Sequence, residues 1–326
     1  MELVRHRRFP MFVLGIGLLI ALIFPWIVQD RFAQNTAIFV LMYGLMAQAW
    51  NIMGGYTGLI SVGQVAYFGI GAYTSAFLYT HFGINPWIAL LIGGLITAMF
   101  GVVAGYPVSK LRGRYFSIAT IAMAEVMRIS FSNWEYVGAA RGIQLPIEKE
   151  SLLTFQFHSS RLPYYYIILF LFIIVNLVVY FLERSRTGYY FRAIRDNEEA
   201  AAGLGINRSF YKLLSIAISA FFTALAGSFL TQFSLYVEPD YVFASSISIT
   251  VAMVAVLGGI GSLGGPILGA LVLIPLSEYT RAWLGKQGQG LDLMLYGALI
   301  IIFCILEPKG LMGLWKRISA KKRTNP

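Results

Sequence analysis

The sequence predicts an all-α, polytopic integral membrane protein. Charged residues make up 12% of the 326 residues, whereas they make up about a quarter of a typical soluble domain. The mean hydropathy is +0.70. Apolar stretches recur along the chain, and each is long enough, at about 18 residues or more, to cross the roughly 30 Å hydrocarbon core of a bilayer as a helix. We therefore treat residues 1–326 as one transmembrane domain.

About ten transmembrane helices are predicted, which places both termini on one side of the membrane. The predicted spans are residues 11–28, 36–53, 59–79, 87–106, 115–132, 164–182, 213–233, 246–262, 266–283 and 291–306. With the N-terminus inside, 18 of the 25 Lys and Arg residues fall in cytoplasmic segments and 6 in outer segments. The positive-inside rule therefore predicts that both termini are cytoplasmic. Because the basic residues lie in loops between apolar runs, we expect contact with membrane lipid and no binding of nucleic acid.

Two polar loops stand out in this arrangement. The loop 133–163 is predicted to be outer, and its first part has the composition of a segment ordered by turns. Five predicted spans precede it and five follow it, so the two halves have opposite orientations, as an inverted repeat would require. The loop 183–212 is the longest basic interruption and is predicted to be cytoplasmic.

The loop 183–212 is predicted to contain one short helix. Asp196 and Glu199 have the spacing of a capping box, and Gly203 and Gly205 are suited to end the helix after a run of alanines. A helix of about two turns is marginal alone in water. We therefore expect a partner to order it.

Two glycine-rich stretches, residues 54–77 and 258–270, allow two interpretations. Glycine lets neighbouring helices approach closely, and Gly71 with Ser75, like Ala72 with Ala76, fits a seam of small residues. Tight packing explains most of the glycines. The second interpretation is that residues 54–58 and 258–265 interrupt helices beside a substrate path, since irregular backbone at membrane depth persists only in protein or next to water.

One predicted span carries a charged pair, Glu125 and Arg128, which are separated by three residues and so lie on one face of a helix. A lone carboxylate near the middle of a bilayer is costly, so Glu125 is predicted to pair with Arg128 or to face a substrate path. The amides of Gln48, Asn51 and Gln64 are suited either to hydrogen bonds between helices or to lining such a path.

The sequence lacks the motifs that would indicate ATP binding, catalysis or ion coupling. It contains no G-x-x-x-x-G-K-[ST] phosphate loop, no metal-ligand cluster, no nucleophile elbow and no string of carboxylates within the spans. The sequence therefore predicts a protein that is not an enzyme and binds no cofactor. If the protein transports against a gradient, the energy must come from another subunit through a cytoplasmic contact.

Five segments together resemble those of a known family. They are GGYTGLISVGQVAYFGIGAY (54–73), LRGRYFSIATIAMAEVMR (111–128), GYYFRAIRDNEEAAAGLGIN (188–207), VAVLGGIGSLGGPILGA (254–270) and LEPKGLMG (306–313). The family they resemble is the LivM-type permeases of branched-chain amino acid ABC transporters. The resemblance runs through nearly the whole chain in the same order. It implies an importer in the bacterial cytoplasmic membrane, in which this chain pairs with a LivH-type permease. Two cytoplasmic ATPase subunits and a periplasmic binding protein would complete the transporter.

The resemblance also implies functional residues. A short cytoplasmic helix of such permeases docks into a groove on the ATPase, although the Leu-Pro often found downstream is missing here. The implied ATPase-coupling residues are Arg192, Arg195, Asp196, Glu198, Glu199, Ala200, Ala201, Gly203 and Gly205. The two arginines are suited to an acidic rim on the ATPase, and positive-inside topology would equally explain them. The candidate translocation-path residues are Asn51, Gly54, Gly55, Tyr56, Gly58, Gln64, Glu125, Gly258, Gly259 and Gly261.

Three hypotheses about function follow. The first is an ABC importer permease for branched-chain amino acids, coupled to separate ATPase subunits through the short helix. The second keeps the fold but changes the substrate to urea or short amides. The third is a self-sufficient channel or ion-coupled carrier, against which the cytoplasmic helix and the missing carboxylates argue.

Overall fold

A computed structural model describes residues 17, 20–111, 113–284, 297–298 and 310–313. The described chain is mostly helical, which confirms the predicted helical class. Residues 20–27 are helical, and the helices that follow are α1 (Arg31–Asn51), α2 (Val65–Phe82), α3 (Pro86–Val108), α4 (Arg114–Asn133), α5 (Leu162–Arg184), α6 (Arg186–Asp196), α7 (Glu198–Gly203), α8 (Arg208–Ser234), α9 (Pro239–Val242), α10 (Ser245–Gly258) and α11 (Gly265–Leu284). A π-helical segment (Ile52–Tyr56) extends α1, and β1 (Ile143–Gln144) pairs with β2 (Tyr236–Val237).

Five helical segments of the described chain are long and apolar enough to cross a membrane. They are Arg31–Tyr56, Pro86–Val108, Leu162–Arg184, Arg208–Ser234 and Pro239–Gly258. The spans predicted at 59–79, 115–132 and 266–283 correspond to α2, α4 and α11, which are helical but are not among these five. Of the span predicted at 11–28, residues 17 and 20–28 are described and 20–27 are helical, whereas the span predicted at 291–306 lies mostly outside the described residues and both termini lie outside them. The prediction of ten spans therefore remains a prediction.

The helices α2 and α8 meet at backbone distance in the centre of the bundle. A methyl group at Gly227 would overlap the carbonyl group of Phe68. The hydroxyl of Ser228 donates to the Gly71 carbonyl at 2.9 Å, and that of Thr231 donates to the Ala72 carbonyl at 3.2 Å. Because the side chains between them are small, the two helices approach closely enough for hydroxyl groups of α8 to bond directly to backbone carbonyls of α2. This contact confirms the predicted seam at Gly71 and Ala72.

The loops collect at two ends of the bundle. At one end, Lys212 reaches the Ser109 carbonyl and Arg195 reaches the Gly55 carbonyl, at 3.2 and 3.0 Å. We call this the coupling end; it contains residues 54–58, 107–114 and 183–212. These three segments are also the ones that the predicted spans place on the same side of the membrane.

The opposite end is made by residues 80–86, 133–163 and 234–245. The predicted turns of the loop 133–163 are present as 3₁₀ segments at Glu135–Val137 and Ala139–Arg141, followed by the β1–β2 pair. The Trp87 indole N–H donates to the Leu152 carbonyl at 2.7 Å, which fastens the loop to the start of α3.

Candidate functional site: two helix breaks and the coupling loop

The first helix break lies later than the glycines suggested. We predicted an interruption at residues 54–58, but Gly54 and Gly55 remain inside the π-helical segment, together with Tyr56. The chain is non-helical from 57 to 64, a stretch that includes Gly58. A π turn accommodates one more residue than an α turn. The helix therefore widens at the glycines before it ends.

The second helix break was predicted correctly. The helix α10 ends at Gly258 and α11 begins at Gly265. Between them the backbone takes positive φ angles at Gly259 (126°) and Gly261 (71°). These angles are unfavourable for residues with side chains, so the glycines mark the place where the helix stops.

The two breaks contact each other through Asn51. Its amide nitrogen donates to the Ser262 carbonyl at 3.0 Å, and its amide oxygen accepts from the Gly261 N–H at 2.8 Å. Gln48 adds a donor to the Leu263 carbonyl at 3.2 Å. Asn51 is fully buried. The last turn of α1 thus satisfies backbone groups that the second break leaves free.

Gln64 is placed in the core between three helices. Its amide nitrogen donates to Ser219 at 2.9 Å and to Thr223 at 2.5 Å, both on α8. The hydroxyl of Ser248 on α10 accepts the neighbouring Val65 N–H at 2.8 Å. Sequence reasoning missed these hydroxyl partners. The spacing of four between Ser219 and Thr223, which places both on one face of a helix, is the signal that would have found them.

Glu125 lies apart from the two breaks and forms the predicted pair with Arg128. The guanidinium donates to the Glu125 carboxylate at 2.6 Å and to the Asp240 carboxylate, also at 2.6 Å. No local pattern pointed to Asp240, which lies 112 positions from Arg128 in the chain, on α9. All three side chains are partly exposed. The cluster ties α4 to the opposite end of the molecule.

The coupling loop contains two helices rather than the single one predicted. Asp196 ends α6, and α7 starts at Glu198. The N-cap is Asn197, whose side-chain oxygen accepts the N–H groups of Glu199 and Ala200, each at 3.0 Å. The predicted capping box is therefore wrong by one residue. Asn caps a helix as well as Asp does, and the Asp196 carboxylate is taken by Arg195 at 3.0 Å.

The short helix α7 is anchored on one side and open on the other. Ala201 is buried, and Glu198 pairs at 2.8 Å with Lys212, whose side chain is only 6% exposed. Ala200 and Gly203 face outward, and Leu204 just after the helix is 82% exposed. Gly205 follows with a φ of 82° and turns the chain towards α8. The anchored side orients the helix, so its open side is available to a partner.

A cavity of about 470 Å³ separates α7 from the first helix break. It brings several predicted coupling residues together with one predicted path residue. Its lining comprises Thr57, Gly58, Leu59, Leu111, Gly113, Ile194, Arg195, Asp196, Asn197, Glu198, Glu199 and Lys212. The coupling loop and the first break therefore face a common space.

The two predicted coupling arginines are directed inward, along different routes. Arg195 donates to the Gly55 carbonyl at 3.0 Å, inside the π-helical segment. Arg192 donates to the Glu183 carbonyl at 3.2 Å and lies 5.8 Å from the centre of the Tyr56 ring. The Tyr56 hydroxyl in turn donates to the Glu183 carboxylate at 2.6 Å. Both arginines thus connect the coupling loop to the end of α1.

Comparison with known proteins identifies the family. The family model described as the branched-chain amino acid transport system permease component matches residues 32–304. The permease protein LivM of the high-affinity branched-chain amino acid transport system is 30% identical over 321 residues, both in Salmonella typhimurium and in Escherichia coli strain K12. Each alignment covers 91% of this chain and 73% of the relative.

The LivH permease protein of the same transport system is a more distant relative. The Salmonella typhimurium protein is 26% identical over 287 residues, which cover 83% of this chain and 91% of LivH. No solved structure gives a significant match. The matched family region contains both helix breaks and the whole coupling loop. This chain belongs to the family of permease components of branched-chain amino acid transport systems.

Proposed function

We propose that this chain is the transmembrane permease subunit of an ATP-driven importer of branched-chain amino acids in the bacterial cytoplasmic membrane. The observation that carries the proposal is the 30% identity to LivM over 91% of the chain. The relatives are named for branched-chain amino acids, so the hypothesis of urea or short amides is not favoured.

The energy source of this importer is a pair of separate ATPase subunits. The chain has no phosphate-loop motif of its own. The open face of α7 supports the proposal of a docking site, because Ala200 and Gly203 leave room for a groove to close around the helix. The buried contacts of Ala201 and Glu198 hold α7 against the bundle, so a push on α7 is passed inward.

The other partners are a second permease of the LivH type and a periplasmic binding protein. The LivM and LivH relatives belong to systems that use both permeases. The proposed topology has ten spans, with both termini and the coupling end in the cytoplasm. The opposite end then faces the binding protein.

The translocation path is proposed to run beside the two helix breaks. Support comes from the irregular backbone at 57–64 and 259–264, because such backbone in a membrane protein is tolerated where it is buried or faces water. Asn51 and Gln64 are fully buried here, and the amide nitrogen of each donates a hydrogen bond within the protein. They would reach a substrate only after these bonds rearrange. Glu125 would shape the polarity of the outer part of the path.

The test is uptake by the complete transporter in proteoliposomes, reconstituted with its cognate partner subunits. We expect leucine uptake that requires ATP and all subunits. The variant Ala200→Trp on the open face of α7 is expected to abolish both uptake and stimulation of the ATPase. The control is Met99→Trp, which changes a 70% exposed residue in the middle of α3, away from both ends of the bundle. Normal uptake and stimulation in Ala200→Trp would overturn the assignment of α7.

Two further measurements separate the remaining hypotheses. Stronger binding of urea than of leucine by the cognate binding protein would favour the second hypothesis, and solute flux in liposomes containing this chain alone would favour the third. For Glu125, full transport with unaltered selectivity in Glu125→Gln would leave the carboxylate a structural role only.

A further inference from the structure

We propose that Arg195 is the positioning residue that transmits movement of the coupling helix α7 to both helix breaks, an inference that rests on the proposed function. Only Asn197 and Asp196 separate Arg195 from the first residue of α7. Any displacement of α7 is therefore passed to the end of α6, where the Arg195 side chain begins.

The guanidinium of Arg195 holds the first break at its π-helical start. It donates to the Gly55 carbonyl at 3.0 Å, across 140 positions of sequence. Its Nε and Nη2 atoms lie 3.1 and 3.0 Å from the Asp196 carboxylate, which fixes the plane of the group. Gly58 packs against the same side chain, because a methyl group there would lie 3.0 Å from the Arg195 Cγ.

The same guanidinium touches the second break at Gly261. A methyl group at Gly261 would lie 2.9 Å from the Arg195 Nη1 atom and 3.1 Å from the Gly55 carbonyl oxygen. The Gly261 N–H is in turn accepted by Asn51. One charged side chain from the coupling loop thus reaches the point where the two breaks meet.

This geometry indicates how movement would be transmitted. When α7 is pulled away, the guanidinium leaves the Gly55 carbonyl and the π turn loses the donor that holds it. Because Asn51 joins that turn to the second break, both breaks are released together. Arginine suits this role because its planar, always charged fork has several donors with fixed directions.

The first experiment compares leucine uptake and ATP hydrolysis in the same proteoliposomes, using the complete transporter. In Arg195→Ala we expect hydrolysis to persist, while leucine transported per ATP falls roughly tenfold or more, as losing a hydrogen bond from a charged donor implies. Arg195→Lys should be intermediate, since Lys offers a donor without the fork. The matched control is Arg186→Ala, an exposed arginine in the first turn of the same helix, which should transport normally.

A second variant displaces the guanidinium without removing it. Gly261→Ala places a methyl group against the Arg195 Nη1 atom and should uncouple transport in the same way; because the φ of 71° also strains an alanine there, its Tm is measured beside its uptake per ATP. The double variant Arg195→Ala/Gly261→Ala should then be no worse than the poorer of the two single variants, since both act on one contact. Full additivity of the two effects would overturn the inference.

Cross-linking provides a readout that does not depend on activity. A Cβ atom at Gly58 would lie 3.5 Å from the Arg195 Cβ, within the range of about 3.5–4.5 Å for a disulfide. In a Cys304→Ser background, the variant Gly58→Cys/Arg195→Cys should cross-link in the nucleotide-free complex and much less in the complex trapped with ATP. Equal cross-linking in both states would overturn the inference.

The outcomes separate this inference from the proposed function. A wild-type complex without ATP-dependent uptake would overturn the function itself. Normal coupling in Arg195→Ala, alongside loss of coupling in Ala200→Trp, would overturn only the role of Arg195. A parallel fall of hydrolysis, uptake and thermal stability in Arg195→Ala, with no rescue by Arg195→Lys, would show a merely structural residue and also overturn it.

Discussion

The two ends of the molecule use polar groups in different ways. At the coupling end one ionic contact is enclosed beside more exposed ones: the Lys212 side chain is 6% exposed and joins Glu198 to the Ser109 carbonyl. At the opposite end the charged cluster lies near the surface, where Arg128 bridges Glu125 and Asp240, whose side chains are 44% and 74% exposed. Removing the partner of a buried charge lowers the folding stability strongly, whereas an exposed ion pair contributes little to it.

This difference supports the proposal that the coupling end passes on a displacement. The enclosed pair of Glu198 and Lys212 fastens α7 to the start of α8, so a displacement of α7 would be passed to that helix. The opposite end relies on the β1–β2 pair and on aromatic packing such as that of Trp87 on Phe155, with ring centres 4.7 Å apart. These contacts shape a cover over the bundle and do not lead to either helix break.

The largest expected effect comes from Lys212→Met. The substitution keeps most of the side-chain volume but removes the partner of Glu198 and the donor to Ser109. We expect a loss of about 3 kcal/mol in the free energy of unfolding, as for breaking other buried pairs, measured as a fall in Tm in detergent. The control Arg208→Met removes an exposed contact 3.7 Å from Glu198 and should cost less than about 1 kcal/mol. Equal costs would contradict the contrast between buried and exposed pairs.

The next effect concerns the cap of α7. Asn197→Ala removes the acceptor for two N–H groups and should cost about 1 kcal/mol. The six-residue helix α7 begins at this cap, and without it only side-chain contacts such as the Glu198–Lys212 pair orient its first turn, so coupling of ATP hydrolysis to uptake should fall as well. Asn207→Ala removes the corresponding cap of the long helix α8 and should cost a similar amount without loss of coupling. Uncoupling by both variants would contradict the special role of α7.

A smaller effect is expected at the opposite end from Asp240→Asn. Arg128 keeps its contacts with Glu125, and the Asp240 side chain is largely exposed. The cost should be below about 1 kcal/mol. Glu125→Gln should lower the Tm further, because that carboxylate accepts from both the Nε and the Nη2 atoms of Arg128. A larger fall in Asp240→Asn than in Glu125→Gln would show that Asp240 is the principal partner.

The smallest effect concerns pH and the loop 133–163. The Ser159 hydroxyl and the N–H groups of Ser159 and His158 donate to the Glu150 carboxylate, and these bonds hold its pKa below the ordinary 4.5. A lowered pKa means that the ionised group stabilises the loop at neutral pH, and that this contribution is lost as the pH falls through the folded value. The protection of amides in residues 148–159 against hydrogen exchange, relative to their intrinsic exchange rate at each pH, should therefore decrease at low pH. In Glu150→Gln the protection should already be lower at neutral pH and change little on acidification; a further loss of protection in that variant would point to another group.

Features set by local sequence were predicted well. Runs of apolar residues indicated the helices, Gly258 to Gly265 indicated a break, and the three-residue spacing of Glu125 and Arg128 indicated their pair. Each of these depends on residues close together in the chain.

Features set by tertiary contact were not predicted. No local signal relates Arg195 to Gly55 or Arg128 to Asp240, since each pair is more than 100 positions apart. The position of the α7 cap was ambiguous for another reason: Asp196 and Asn197 are adjacent and equally suited to the role. The contact with Arg195 decides between them.

The seam between α2 and α8 has a mechanical consequence. Carbonyl groups of α2 accept from hydroxyls of α8, and Gly227 leaves no gap between the two backbones. Sliding one helix along the other would break these bonds, so we expect the pair to behave as one rigid body. The non-helical segments 57–64 and 259–264 then become the hinges about which that body turns. On the side formed by α2 and α8, the translocation path would then change shape through tilting of the whole pair and not through sliding of either helix.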